Sequence, residues 1–154
     1  MCQGLSAECE KMVRYRGVTE TGRKVILDKH NQLRRRIARG EEGRGLGGRG
    51  QPPAADMRRL GWSAELAAVA QRWADQCTLG HDKVRDTLAG LYVGQNAYLG
   101  PWDETDEEEV GWAAALTYTS YLIALQLNAG LWTGVQMWYD EVDIFDSSLI
   151  ESFA

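Results

Sequence analysis

Between Thr21 and Arg39 the chain repeats Ile26, His30, Leu33 and Ile37 at steps of four, three and four residues. That spacing puts side chains on one face of a helix. The intervening positions Lys24, Asp28, Gln32, Arg35 and Arg39 are polar, as a solvated face requires. Gly40 is placed to end the helix as a C-terminal cap. A second stripe, Leu66, Val69, Ala70, Trp73 and Cys77, follows Ser63, whose hydroxyl suits an N-cap. This helix is expected to end near Leu79 and Gly80 and to pack on the first. Leu91 to Leu99, with Tyr92 and Val93 ahead of Gly94, has modest strand character.

Two stretches break this regularity. Gly40 to Gly50 contains six glycines and matches GxGxxG twice, but a dinucleotide loop needs a strand before it and a helix directly after it. Here a helix precedes and Pro52 and Pro53 follow, so the stretch reads as a flexible surface loop. Val110 to Tyr139 is thirty residues without a charge, preceded by the acidic run Asp103 to Glu109, a solvated loop. The uncharged stretch is long enough to cross a bilayer, and three readings compete for it: a membrane span, a buried helix, or inserted sequence. Its acidic flanks, and the polar Thr117, Thr119, Ser120, Gln126 and Asn128, argue against a span.

The 154 residues are enough for one domain with its own core. Charge is unevenly spread. Residues 11–59 carry fourteen Lys or Arg against five acids, and residues 60–154 carry three against fifteen. The cluster Arg34, Arg35, Arg36, Arg39, Arg44 and Arg49 has no interleaved aromatic residues for base stacking, which disfavours nucleic acid as a partner. Mutual packing of the two oppositely charged halves is the simpler expectation. Cys2, Cys9 and Cys77 form no CxxC pair and no zinc-ligand spacing. An odd count fits either reduced thiols or one disulfide with a leftover thiol. Met1 to Lys11 lacks the apolar core of a cleavable leader. Only His30 and His81 can supply an imidazole. His30, on an apolar face, reads as a hydrogen-bonded core or interface residue, whereas His81, in the loop GHDKVRD, is placed to face a cleft. No GxSxG elbow and no recognisable triad is present.

Five segments occur in an order that is specific when taken jointly: ILDKHNQLRRRIARG (26–40), QPPAADMRRLGWSAELAAVAQRWADQC (51–77), GHD (80–82), VGQNAYL (93–99) and MWYDEV (137–142). Together they resemble the CAP superfamily, most closely the antigen 5-like proteins of arthropod venom and saliva. The resemblance covers roughly residues 9–99 and 135–153. It implies an α+β fold, a three-layer α/β/α sandwich of CAP type, incomplete here at the C-terminus. It also implies an N-terminal extension over residues 1–20 and a partial CAP domain over 21–154, with 110–134 as an atypical uncharged insert. The absent C-terminal strands would leave sheet edges and helix faces uncovered, so the chain is expected to be prone to aggregation.

In the same way the resemblance places the family's cleft on His81, Gln95 and Glu141. The second cleft histidine, part of a GHYTQ-like motif, has no counterpart. His81 and Glu141 would be the candidate ligands for a divalent metal such as zinc, weakened because Gln95 offers an uncharged amide. The resemblance pairs Cys9 with Cys77 and, with Val84 where relatives carry a cysteine, leaves Cys2 without its usual partner. The function it implies is a secreted, extracellular, non-enzymatic protein that binds a host protein, a lipid or sterol, or a small ligand, with no nucleic acid. The alternatives are a metal-dependent hydrolase using the same cleft and a membrane-anchored protein held by residues 110–134.

Overall fold

Thr19 starts the long helix by accepting a hydrogen bond from the Gly22 N–H at 3.0 Å, which satisfies one of the donors left open at a helix N-terminus. A computed structural model of the chain describes residues 4–7, 9–12, 17–78, 80–99, 112–118, 121–126 and 131–153. Its helices are α1 (Cys9–Met12), α2 (Glu20–Ala38), α3 (Ala64–Ala74) and α4 (Leu131–Asp140). Its strands are β1 (Gly94–Leu99), β2 (Trp112–Tyr118) and β3 (Tyr121–Gln126). Of the predicted stripes, Ile26 and Leu33 on α2, Leu66, Val69 and Ala70 on α3, and Cys77 beyond its end are withdrawn from solvent, while His30, Ile37 and Trp73 are half-buried; Ala74, outside the predicted stripe, is buried as well. Gly40 takes a left-handed φ of 69°. Its N–H reaches the Ile37 carbonyl at 2.8 Å, and the Glu41 N–H reaches that of Arg36 at 3.0 Å. This is the paired closure that glycine makes inexpensive at a helix end. Ser63 caps α3 as predicted, accepting from the Leu66 N–H at 3.4 Å. That helix ends at Ala74, earlier than Leu79.

The uncharged stretch is not one continuous helix. It contributes β2 and β3, paired antiparallel from Ala113 with Gln126 to Tyr118 with Tyr121, and then α4. The sheet order is β1-β2-β3, and Gln95 on β1 lies opposite Leu116 on β2. A short apolar run cannot be assigned to helix or strand by periodicity alone. No helix among the described residues is long and apolar enough to cross a membrane. α3 lies against β2 and β3, and α2 lies against α4.

Two polar devices join the elements. Asn31, buried on α2, donates from Nδ2 to the Leu60 carbonyl at 3.1 Å and accepts the Leu60 N–H at 2.8 Å, pairing a buried backbone as a neighbouring strand would. The second sits in the glycine-rich loop, where the buried Glu42 corrects the picture of a free surface segment. Its Oε1 accepts from the Arg44 N–H at 2.9 Å and from Arg44 Nε at 3.1 Å. Its Oε2 pairs with Arg36 Nε at 3.2 Å and accepts from the Tyr139 hydroxyl of α4. Gly45 is needed because a Cβ there would sit 2.0 Å from the Arg49 carbonyl oxygen. Gly50 likewise allows close backbone approach, since a Cβ there would sit 2.9 Å from the Glu42 carbonyl oxygen.

The Cys9–Cys77 disulfide is present, with the two residues 68 apart in sequence. It fastens the N-terminal segment to the end of α3, where Ser6 also donates its N–H to the Asp75 carbonyl at 2.9 Å. Cys77 itself has a φ of 49°, a left-handed conformation unfavourable for a side chain and held here by its N–H bond to Ala74 at 3.0 Å. Cys2 lies outside the described residues.

Replacing both Cys9 and Cys77 by serine is expected to lower unfolding stability by about 4 kcal/mol in the chain-entropy picture, measured by denaturant titration. Acid should destabilise the fold in two stages. Burial, joined by the charge of Arg34, pulls His30 from 6.5 to about 4 against the opposing hydrogen bond to Ile26. Stability from neutral His30 is therefore complete above pH 6.5 and is lost as pH falls to 4. Burial raises the pKa of Glu42, but hydrogen bonds from Tyr139 and Arg44 and the charge of Arg44 outweigh it and lower it from 4.5 to about 2. Its contribution is present above pH 4.5 and lost on the way down to 2. Each stage is worth on the order of 3 kcal/mol. Urea midpoints between pH 2 and 8 should show His30→Gln flattening the upper limb and Glu42→Gln the lower.

Candidate functional site

The loop from Gly80 to Val93 leaves the end of α3 and returns into β1, and its own residues hold it in shape. Trp73 Nε1 donates to the Gly80 carbonyl at 3.0 Å. Arg85 donates from Nε to the Val93 carbonyl at 2.7 Å and from a terminal nitrogen to the Asp82 carbonyl, so one guanidinium ties the two ends of the loop. Val93 is fully buried against Leu66, Val69 and Ala70, which fixes where β1 begins. One residue further into that strand, Gln95 is buried and points its amide oxygen at the loop.

His81 and Gln95 are brought together. Gln95 Oε1 lies 3.2 Å from His81 Nδ1 and accepts the Asp82 N–H at 2.8 Å. The Asp82 N–H is a pure donor, so it sets the amide with its oxygen toward the loop. His81 Nδ1 must then carry the proton, which leaves Nε2 of the exposed ring as the free lone pair. Gln95 Nε2 is buried and finds no partner among the described residues. Glu141 is not bonded to this pair among the described residues. It opens the short helical turn Glu141–Ile144 after α4 and is exposed.

This donor set suits zinc poorly. The amide oxygen of Gln95 already accepts two hydrogen bonds, and an uncharged amide is a weak ligand for a borderline-soft cation. His81 Nε2 and the Glu141 carboxylate are sound ligands in kind. Among the described residues, no three His, Cys, Asp or Glu side chains gather around one point.

The other histidine is the interface residue expected. His30 Nδ1 lies 2.9 Å from the Ile26 carbonyl, and its ring centroid is 6.3 Å from that of Trp138 on α4. Trp138 in turn donates from Nε1 to the Ala97 carbonyl of β1 at 3.3 Å, so a single indole touches α2 and the sheet strand that carries Gln95. The pattern reading missed Arg85 as the loop clamp and Glu42 with Arg44 as the link to α4. The signal for Arg85 was its place in GHDKVRD, but no periodicity marks a clamp.

The family model for the cysteine-rich secretory protein family, CAP, matches residues 27–149. The chain belongs to the CAP family. It is 39% identical over 137 residues to Venom allergen 3 of Solenopsis invicta, covering 89% of this chain and 49% of that protein. It is 37% identical over 136 residues to Venom allergen 5.02 of Dolichovespula maculata, covering 88% of this chain and 53% of that one. Over a shorter span of 90 residues it is 51% identical to Venom allergen 5 of Vespula maculifrons, covering 58% of this chain and 43% of that protein. The antigen 5 resemblance read from the five segments is thus borne out, and this CAP chain spans about half the length of the curated relatives it matches.

Removing the Gln95 amide from this CAP chain should loosen the His81 loop specifically. In Gln95→Leu the Asp82 N–H loses its acceptor, so its amide hydrogen exchange should rise at least about tenfold, for a lost hydrogen bond of about 1–3 kcal/mol. Exchange in α2, measured by NMR in the same sample, should stay unchanged.

Proposed function

We propose that the chain is part of a secreted, venom-type CAP protein that acts by binding a partner and not by catalysis. The observation that carries this reading is the pairing of His81 with the neutral amide of Gln95. A carboxylate beside the imidazole would supply negative charge for a cation or a proton acceptor for hydrolysis, and the Gln95 oxygen, occupied by two donors, supplies neither. The unpartnered Gln95 Nε2 favours a ligand that presents a hydrogen-bond acceptor, and the free lone pair of the exposed His81 Nε2 one that presents a donor, a combination found in a peptide group of a host protein or the hydroxyl end of a lipid or sterol. Zinc or another divalent ion would bind weakly through His81 and Glu141.

The disulfide supports an extracellular setting, since such bridges persist in oxidising compartments. The names of the relatives support venom as that setting. The finer architecture proposed is the three-layer α/β/α sandwich of the family, with α3 as one outer layer against β2 and β3 and α2 with α4 as the other.

The test is a zinc titration by calorimetry beside a peptide and ester hydrolysis panel, on the wild-type chain, His81→Ala, Glu141→Ala and Gln95→Glu. Wild type is expected to bind zinc no tighter than about millimolar and to show no turnover that depends on His81 or Glu141, while Gln95→Glu should gain zinc affinity by about tenfold or more. Hydrolysis by the wild type that is abolished by His81→Ala would overturn the reading.

A further inference from the structure

The packing of α2 on α4 leaves a crevice of about 490 Å³ that shares no lining residue with the His81 loop among the described residues and is lined by Lys29, Arg35, Arg36, Arg39 and Arg44 with Gln136. Among the described residues the only acid on its wall is Glu41, which lies 3.8 Å from Arg39 with both side chains more than half exposed, a pairing that water largely screens. Arg44 is committed to Glu42 and Asp140, and Arg36 faces Glu42 with one edge of its guanidinium while its side chain remains 48% exposed. The Arg35 side chain makes no hydrogen bond or ion pair among the described residues. Arg35 and Arg39 stand one helical turn apart, a rise of about 6 Å, so their charges repeat at close spacing along the crevice.

We propose that this crevice binds a sulfated polysaccharide, gripped by Arg35, Arg36 and Arg39. Guanidinium groups match the oxygens of a sulfate ester two at a time, and a recessed row of them fits a chain with closely spaced anionic groups. Nucleic acid is a poorer fit, because the one aromatic ring on the wall, Tyr139, has Arg44 over it at 5.2 Å and its hydroxyl bound to Glu42, leaving no stacking platform. A bilayer is a poorer fit too. The only aliphatic side chain on the wall is the buried Leu33, so nothing apolar projects to insert among lipids. The chain as a whole has a net charge of −5, so attraction to a polyanion must come from this local patch.

Heparin serves as the probe, by affinity chromatography and calorimetry on the full chain. The wild type should be retained at low salt and should not be retained on desulfated heparin. Arg35→Gln/Arg39→Gln should elute earlier and bind at least about tenfold more weakly, each lost contact being charge-assisted. Arg58→Gln/Arg59→Gln, with the same charge change elsewhere, should elute with the wild type. If the double variant loses its helical circular dichroism, Arg35→Gln alone carries the comparison, since that side chain bonds nothing. Failure of retention, an equal shift from both pairs of substitutions, or Arg35-dependent sedimentation with phosphatidylserine vesicles in the absence of heparin binding would each overturn the proposal.

Discussion

The Glu42 carboxylate is buried, and a charge withdrawn from water is tolerated only where other groups replace the hydration it gives up. Arg44, Arg36 and the Tyr139 hydroxyl do so, and each comes from a different place: the loop itself, α2, and α4. Arg44 then reaches on to Asp140 at 2.8 Å and Asp143 at 3.5 Å. The same contacts raise the Tyr139 hydroxyl to about 12, through burial and then its bond to Glu42, and hold Asp140 below the usual carboxylate range, chiefly through Arg44. The position of α4, and with it of Trp138 and Glu141, follows from where this carboxylate finds its partners. A buried pair of this kind is weak evidence of net stability but strong evidence of register, because removing either side leaves an uncompensated charge.

The uneven charge of the chain is resolved only in part by packing. Acids from the second half meet bases of the first at Arg44 with Asp140 and Asp143, and at Arg49 with Asp146 at 3.4 Å. Other bases pair with near neighbours, as Lys24 does with Asp28 and Arg58 with Asp56. The exposed side of α2 therefore keeps a surplus of positive charge that the fold does not consume.

How much of this was legible in the residues depended on whether the signal was local. The stripes and caps of α2 and α3 were, because Thr19, Ser63 and Gly40 act on backbone groups within a few residues of themselves. The hairpin of β2 and β3 was not, because a short apolar run without alternating polar residues carries no period of two to read. The pairing of Cys9 with Cys77 came from resemblance, as did the choice of His81 and Gln95. Spacing alone does not bring together residues 14 apart on a loop and a strand. Glu42 was invisible for a related reason: one of two adjacent acids in a run of glycines and arginines looks solvated until Tyr139, 97 residues away, is folded against it.

The Cys9–Cys77 bond closes a covalent ring that contains both α2 and α3. Cutting a ring once opens it without dividing it. A protease that nicks the exposed glycines between Gly43 and Gly50 would leave one connected molecule whose two helices stay tethered, and a second cut inside the ring would be needed before any piece could diffuse away. The bridge thus gives this small domain a topological tolerance of cleavage that is separate from its effect on folding.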